Sequence, residues 1–348
     1  MDKVKQKSKV CVIDGGVMTM KAIFSYGSVK KKILDGILPE STFLPPVSYT
    51  FFLMCISALK KIGLNEGDKV ILACDKTNSF VKFFYPEYKA QRKAMRDDAS
   101  HIDFLYHFSV LDKFIDQMDA YSNWNIMWLP SLWNGADLLF TEAGEKFINE
   151  DDLDNDILAK NYGAEADHII AYASEYYTDK EVIFISIDAD LDQLCVRNNT
   201  KFFTLAQKYK GSSGLYKYIK NGYDTLAKKI EKGDVADNII PGETDDNSDR
   251  AKELRSFIID LINLPSFVTD KLKPIFDALP DKEIDWEHLP FPASLAKKYC
   301  QVFEKDKILT VEQCEKYYEK KEIKKKKKAK EKREEKKKAK QELSMRSE

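Results

Sequence analysis

Acidic residues follow three apolar segments of the chain at the point where each segment ends. The segments are Val10–Ile13, Val70–Cys74 and Val182–Ser186, and the acidic residues are Asp14, Asp75 and Asp188. Because the carboxyl ends of parallel strands meet at one edge of a sheet, we expect these carboxylates to lie close together. An aspartate after a strand is also a common turn residue, so one alone would indicate little. Three of them predict a site that uses carboxylates.

Five more acidic residues extend this candidate site. They are Glu165, Asp167, Asp190, Asp234 and Asp237. Carboxylates that are brought together raise one another's pKa unless cations offset their charge. Ligands that are all oxygen atoms favour Mg²⁺ or Mn²⁺, and two such ions can stabilise both the attacking and the leaving oxygen of a phosphodiester displacement. The alternative is that these residues are helix caps, as Asp167 could be, or turn residues.

A basic segment follows Asp75 along the chain. If Pro86 occupies the first turn of a helix, four cationic residues fall at helical spacing and form one stripe. They are Lys89, Arg92, Lys93 and Arg96, and Tyr85 and Tyr88 lie beside the start of the stripe. Cations beside aromatic rings suit phosphate contacts and base stacking. The segment therefore indicates nucleic-acid binding, with a solvated basic helix face as the alternative.

Apolar strands alternate with helical segments over the first two thirds of the chain. Helices are predicted at Val47–Ile62, His101–Met118 and Ala164–Tyr177, and a further strand at Trp124–Leu129. This alternation indicates an α/β fold with a central, mostly parallel sheet flanked by helices. Gly144–Asp156 is acidic and predicts a solvated loop. From Tyr223 onward the pattern is helical, with breaks at the prolines 241, 265 and 290.

Composition excludes several classes of protein. The six cysteines have no paired spacing and there are only four histidines, so no zinc site is indicated and the thiols suit a reducing compartment. No apolar run is long enough to span a bilayer, so we expect a soluble, intracellular and cytoplasmic protein. We also expect a monomer. The net charge of −1 combines an acidic body with a basic tail, since residues 320–342 contain 14 Lys or Arg and 5 Glu. The tail is expected to be an exposed helix that binds nucleic acid, serves as a nuclear localisation signal or only aids solubility.

The motifs together resemble the 5′-nuclease superfamily of flap endonucleases and 5′-exonucleases, especially its phage members with ribonuclease H activity. The resemblance covers roughly residues 8–245. It is carried by the motifs Val12–Gly15, Tyr85–Arg92, Gly163–Asp167, Ser186–Asp192 and Gly233–Asn238, together with Asp75. It implies Mg²⁺-dependent or Mn²⁺-dependent hydrolysis, with two ions, of 5′ flaps, DNA ends or RNA primers in RNA–DNA hybrids. It also implies a place in DNA replication or repair, in a host-cell cytoplasm if the chain is viral, with replication proteins as possible partners.

The resemblance also implies a role for each candidate residue. Asp14, Asp75, Glu165 and Asp167 would hold the first metal ion. Asp188, Asp190 and Asp237 would hold the second, with Asp234 assisting. Lys89 would position the scissile phosphate and Arg92 would make a second phosphate contact.

Three regions are expected from this resemblance. An α/β nuclease core would span 1–222 and include a basic arch region at 76–120, a helical duplex-binding region would span 223–318, and a Lys-rich tail would span 319–348. The family's Gly-rich hairpin is not legible after Asp237, so the duplex-binding region would be a divergent helix–three-turn–helix. The role of residues 131–162 is open. Two other functions are weighed: a non-catalytic relative that binds junctions, and a PIN-type ribonuclease that acts on single-stranded RNA.

Overall fold

A six-stranded sheet forms the centre of the molecule. The computed structural model describes residues 8–64, 67–75, 78–149, 151, 153–205, 215–216, 219, 221–239, 249–283, 285 and 288. The strands are β1 (Lys9–Asp14), β2 (Lys69–Cys74), β3 (Asn125–Trp128), β4 (Trp133–Asn134), β5 (Asn161–Tyr162), β6 (Glu181–Ser186), β7 (Thr200–Thr204) and β8 (Leu215–Tyr216). The sheet has the order β3-β2-β1-β6-β7-β8, in which the first five strands are parallel and β8 is antiparallel. Strands β4 and β5 form a separate antiparallel pair.

Helices cover both faces of this sheet, which confirms the α/β fold predicted from the sequence. The helices are α1 (Gly15–Leu34), α2 (Val47–Ile62), α3 (Val81–Phe84), α4 (Arg92–Asp98), α5 (Phe104–Tyr121), α6 (Gly135–Leu139), α7 (Glu142–Phe147), α8 (Asn155–Ala159), α9 (Ala166–Tyr176), α10 (Gly222–Lys232), α11 (Asp249–Ile259) and α12 (Ser266–Asp277). Val10 and Val12 of β1 share one apolar cluster with Ile169 of α9 and Leu272 of α12. Successive strand residues point to opposite faces of the sheet. Helices α1, α2 and α5 pack together on the face opposite to α9 and α12.

The central strand β1 is fully buried, with β2 on one side and β6 on the other. All three run in the same direction, so their carboxyl ends lie at one edge of the sheet. Asp14 is the last residue of β1, Asp75 directly follows β2, and Asp188 lies two residues beyond β6. The sheet therefore brings to one edge the three aspartates that the sequence singled out.

Several sequence predictions of local structure were wrong. Helix α1 and strand β7 were not predicted, and β3 is shorter at both ends than the predicted strand. The acidic segment 144–156 is partly helical rather than a loop, because it contains the end of α7 and the start of α8, which Asp154 caps through a 2.7 Å hydrogen bond to the Ile157 amide. The break at Pro265 is confirmed, since α12 begins at Ser266.

Three predictions concern residues outside the described ranges: the break at Pro241, the break at Pro290 and the basic tail. Among the described helices, none combines the length and the apolar character that crossing a membrane requires.

Candidate metal and nucleic-acid site

Four carboxylates, which we call the strand-end set, lie at the carboxyl edge of the central strands. They are Asp14, Asp75, Asp167 and Asp188. Asp14 is buried and caps α1, because its Oδ1 accepts a hydrogen bond of 2.9 Å from the Val17 amide. Its Oδ2 accepts one of 2.6 Å from the Ser186 hydroxyl. The same hydroxyl oxygen accepts the Asp188 amide at 3.0 Å, so Ser186 links two members of the set.

The Asp75 carboxylate lies between the start of α1 and the start of α9. Its Oδ1 accepts a hydrogen bond of 2.7 Å from the Ala166 amide. Its Oδ2 lies against Gly16, where an added Cβ atom would come within 2.3 Å of it. Glycine at position 16 therefore leaves room for the Asp75 carboxylate to approach Asp14.

Negative charge accumulates in the strand-end set. Burial, followed by the neighbouring Asp75 carboxylate, raises the pKa of Asp14 to about 7. Burial and the charges of Asp188 and Asp14 raise the pKa of Asp167 well above its usual range. Asp75 is exposed to solvent, yet the protein atoms around its carboxylate, followed by the charge of Glu165, also raise its pKa. Nearby positive charge would be needed to hold all of these groups ionised at neutral pH.

Four further carboxylates, which we call the paired set, contact cations of the protein. They are Glu165, Asp190, Asp234 and Asp237. The buried Glu165 accepts hydrogen bonds from Lys89 Nζ at 3.0 Å and from the Tyr88 hydroxyl at 2.8 Å. Burial by itself would raise the pKa of Glu165, but the charges of Lys89 and His168 and the hydrogen bonds from Lys89 and Tyr88 together outweigh burial and lower that pKa below the ordinary value.

Asp237 joins the basic segment to a 3₁₀ turn at Val235–Asp237. Its Oδ1 accepts a hydrogen bond of 2.8 Å from Arg92 and its Oδ2 one of 3.2 Å from the Tyr88 hydroxyl. Its carbonyl oxygen accepts the Lys89 amide at 2.9 Å. Gln91 Nε2 also donates to the Ala236 carbonyl at 2.6 Å. These contacts hold the basic segment against the acidic residues.

Asp190 and Asp234 share one cation, Lys229, whose ammonium group hydrogen-bonds both carboxylates. Burial and the Asp188 charge nevertheless raise the pKa of Asp190 to about 7. One carboxylate oxygen from each of Asp190, Asp234 and Asp237 lies within 4.8 Å of the others, which is close enough for a shared metal ion. This group borders an open cleft whose apolar wall includes Ile239 and Leu261.

The predicted cationic stripe is wrong in its geometry. Lys89 has a left-handed backbone with φ of 58° and lies outside any helix, while α4 begins only at Arg92. The helix starts late because the backbone of Lys89 turns toward Asp237. The stripe is therefore divided: Lys89 and Arg92 contact carboxylates, whereas Lys93 and Arg96 are exposed.

Tyr88 also differs from the prediction of base stacking. Tyr88 is 6% exposed and packed into the core, so its ring has no free face for a base. Tyr85 is half-buried and its hydroxyl donates to the Asn238 carbonyl at 3.2 Å. Asp167 lies in the first turn of α9, where Glu165 is the cap residue, so Asp167 is not the helix cap that the alternative interpretation required.

Sequence reasoning did not find Ser186, Gly16 or Lys229. Ser186 lies two residues before Asp188, and a serine at that position is not a recognisable sequence motif. Lys229 precedes Asp234 by five residues, a spacing that does not place two side chains on one face of a helix. The contact forms because α10 ends at Gly233, whose φ of 73° turns the chain back over the helix.

The donor atoms of this site fit a hard divalent cation. All eight candidate ligands are carboxylates, which suits Mg²⁺ or Mn²⁺ better than zinc. Three of the four strand-end residues have a raised pKa, and bound cations would offset the charge that causes it. Asp190, Asp234 and Asp237 are close enough together to share an ion.

No protein-family model and no curated protein matches the chain. Twelve chains among the solved structures match. One is a structure of T5 5′-exonuclease with bound divalent metal ions (zinc), at 14% sequence identity and a TM-score of 0.42, covering 84% of this chain and 87% of that one. This degree of similarity does not assign the chain to a family.

Proposed function

We propose that this chain is a divalent-metal-dependent, structure-specific 5′-nuclease. Its substrates would be 5′ flaps, DNA ends or the RNA primers of RNA–DNA hybrids. The observation that carries the proposal is the meeting of eight carboxylates from separate chain segments at the carboxyl edge of one sheet, beside Lys89 and Arg92. With divalent cations bound, such a site could neutralise and orient a phosphodiester, whose reaction is catalysed mainly by positioning and charge.

Two cations would be held by different parts of the cluster. Asp14, Asp75, Glu165 and Asp167 would hold the first, and Asp188, Asp190 and Asp237 the second, with Asp234 assisting. When bound, the ions would supply Lewis-acid stabilisation of the charge that develops on the phosphate oxygens.

The basic segment would bind the phosphate. In the structure Lys89 and Arg92 contact Glu165 and Asp237, and bound cations would release them from those carboxylates. Both side chains would then be free to contact a phosphate beside the cluster. The exposed Lys93 and Arg96 would extend this contact along the backbone of the substrate, with Tyr85 at its edge.

A matched pair of aspartates tests the proposal. Asp188 follows β6 at the candidate site, whereas the exposed Asp179 precedes β6 at the opposite edge of the sheet. With Mg²⁺ or Mn²⁺, the wild-type chain and Asp179→Asn should cleave a 5′-flap DNA and an RNA–DNA hybrid. Asp188→Asn should still bind these substrates but cleave them at least about a hundredfold more slowly.

The substrate panel separates the alternatives. Flap and hybrid binding without cleavage at any Mg²⁺ or Mn²⁺ concentration would favour the junction-binding relative. Cleavage of single-stranded RNA alone would favour the PIN-type ribonuclease. Either result, or equal activity of Asp188→Asn and Asp179→Asn, would contradict the proposed function.

A further inference from the structure

Lys229 occupies the space between two carboxylates of the paired set. Its ammonium group hydrogen-bonds Asp190 and Asp234 at once. These are two of the three residues whose oxygen atoms lie within 4.8 Å of one another. The cation therefore lies among the atoms that would coordinate a metal ion.

The backbone beneath Lys229 is firmly held. Helix α10 packs against a 3₁₀ helix at Asp190–Val196. The packing is so close that a Cβ atom on Gly222 would lie 2.6 Å from the Asp192 carbonyl oxygen. Leu226 is buried in the core, and Arg255 of α11 donates a hydrogen bond of 2.9 Å to the Ile230 carbonyl. Movement of Lys229 would therefore involve its side chain rather than its helix.

The side chain has a route away from the carboxylates. It is 21% exposed, more than the 9% of Asp234 with which it pairs. A lysine side chain has four rotatable bonds and a strongly hydrated head group, so it can reach solvent by rotation of its side chain alone. The ammonium group can thus exchange between the carboxylates and water while the helix stays in place.

An ammonium group and a divalent cation exclude each other at this position. A Mg²⁺ ion binds carboxylate oxygens at about 2.0–2.1 Å, so such an ion would lie within a few ångströms of Lys229 Nζ. Its repulsion from that group is twice that between two single charges at the same distance. One cation must leave before the other can bind.

We propose that Lys229 is an intrinsic competitor of the second divalent cation. It neutralises Asp190 and Asp234 when no metal is bound, and it swings into solvent when the ion enters. Lys229 thereby lowers the affinity of the second site and sets the metal concentration at which that site fills. The inference rests on the proposed function, because it takes the paired set as a metal site.

Titration of the full chain with Mn²⁺, with free Mn²⁺ followed by electron paramagnetic resonance, tests the competition. Lys229→Gln removes the charge and should tighten the weaker Mn²⁺ site by about tenfold. Lys229→Arg keeps the charge and should bind Mn²⁺ as the wild type does. Lys228→Gln, a change at the exposed neighbouring lysine, should leave both affinities within about twofold of wild type.

Acylation of lysines by an N-hydroxysuccinimide ester, read by mass spectrometry, gives a second test that needs only the wild-type chain. Saturating Mn²⁺ should raise the rate of modification at Lys229 several-fold and leave that of Lys228 unchanged. Unchanged or weaker Mn²⁺ binding by Lys229→Gln, or an unchanged acylation rate at Lys229, would overturn the competition alone. Absence of Mn²⁺ binding to the wild type and to every variant would overturn both this inference and the proposed function.

Discussion

The two halves of the carboxylate cluster are stabilised in different ways. In the strand-end set, Asp14 and Asp75 accept hydrogen bonds from backbone amides and from the Ser186 hydroxyl. In the paired set, Glu165, Asp237 and the Asp190–Asp234 pair contact Lys89, Arg92 and Lys229. Backbone amides are neutral dipoles, whereas these side chains carry full charges, so the strand-end set has the greater need of added cations.

The two sets differ in whether the fold only positions the carboxylates or also balances their negative charge. The sheet places the strand-end carboxylates without supplying a full positive charge of its own, and the pKa of Asp14 rises to about 7. In the paired set the protein supplies cations, and the pKa of Glu165 falls below its ordinary value, whereas burial and the Asp188 charge still raise that of Asp190 to about 7. The strand-end carboxylates are thus placed to receive an ion directly, whereas at Asp190 and Asp234 an ion must displace the Lys229 side chain.

Asp14→Asn should have the largest effect on cleavage, and it tests the strand-end set directly. The amide can keep both the α1 cap and the contact with Ser186, but it removes an ionisable ligand from the strand-end set. We expect Mg²⁺-dependent cleavage to fall by at least about a thousandfold. The metal-free variant should unfold at or above the wild-type temperature at pH 8, because it loses a charge that is poorly offset. A clear fall in thermal stability there would contradict this view of the strand-end set.

Lys89→Ala should be the next largest change, and it acts on the paired set. It leaves the buried Glu165 without its cation, so the free energy of unfolding should fall by about 2–3 kcal/mol in urea denaturation. Cleavage should fall by about a hundredfold. Lys93→Ala is the matched control, because Lys93 is exposed and its loss should change stability by less than about 0.5 kcal/mol. Equal effects of the two substitutions would remove the distinction between paired and exposed cations.

The smallest expected effect is a pH dependence of thermal stability without metal. The pKa of Asp14 is about 7 in the folded chain, against an ordinary value of 3.8, so its stabilising contribution is fully present below about pH 4 and is lost as the pH rises through about 7. Glu165 has the opposite shift and already contributes fully above about pH 5. The unfolding temperature should therefore fall by several degrees between pH 5 and pH 8, and Mg²⁺ should restore it at pH 8.

A control variant isolates the source of this pH effect. Asp14→Asn should show a shallower fall in unfolding temperature over the same range than the wild type. A rise in the metal-free stability of the wild type from pH 5 to pH 8 would contradict the proposed difference between the strand-end set and the paired set.

The sequence predicted the strand ends well because they depend on local patterns. A continuous apolar segment followed by an aspartate marked β1, β2 and β6, and the parallel arrangement then followed. Strand β7 has only five residues and follows the polar stretch Arg197–Asn199, so its pattern is weak. Helix α1 begins with two glycines and contains a third, which disfavours a helix, and only Asp14 as a cap marked its start.

The contacts within the site were less predictable because they join distant segments. The backbone of Lys89 is set by Asp237, which lies 148 residues further along the chain, so a helical repeat beginning at Pro86 could not reveal it. Tyr88 was expected on the surface because of its basic neighbours. It is buried because its hydroxyl contacts Glu165 and Asp237, two residues that only the folded chain brings together.

The position of β1 at the centre of the sheet also affects how long the site stays assembled. Hydrogen bonds on both sides of β1 make the backbone that ends at Asp14 one of the last parts to open. The turn that carries Asp234 and Asp237 is held by the β-bridge between Asp234 and Ile239, by one backbone hydrogen bond from Lys89 to Asp237 and by side-chain contacts. In local unfolding this turn would open before β1. Asp234 and Asp237 would then leave the cluster while Asp14 stays in place.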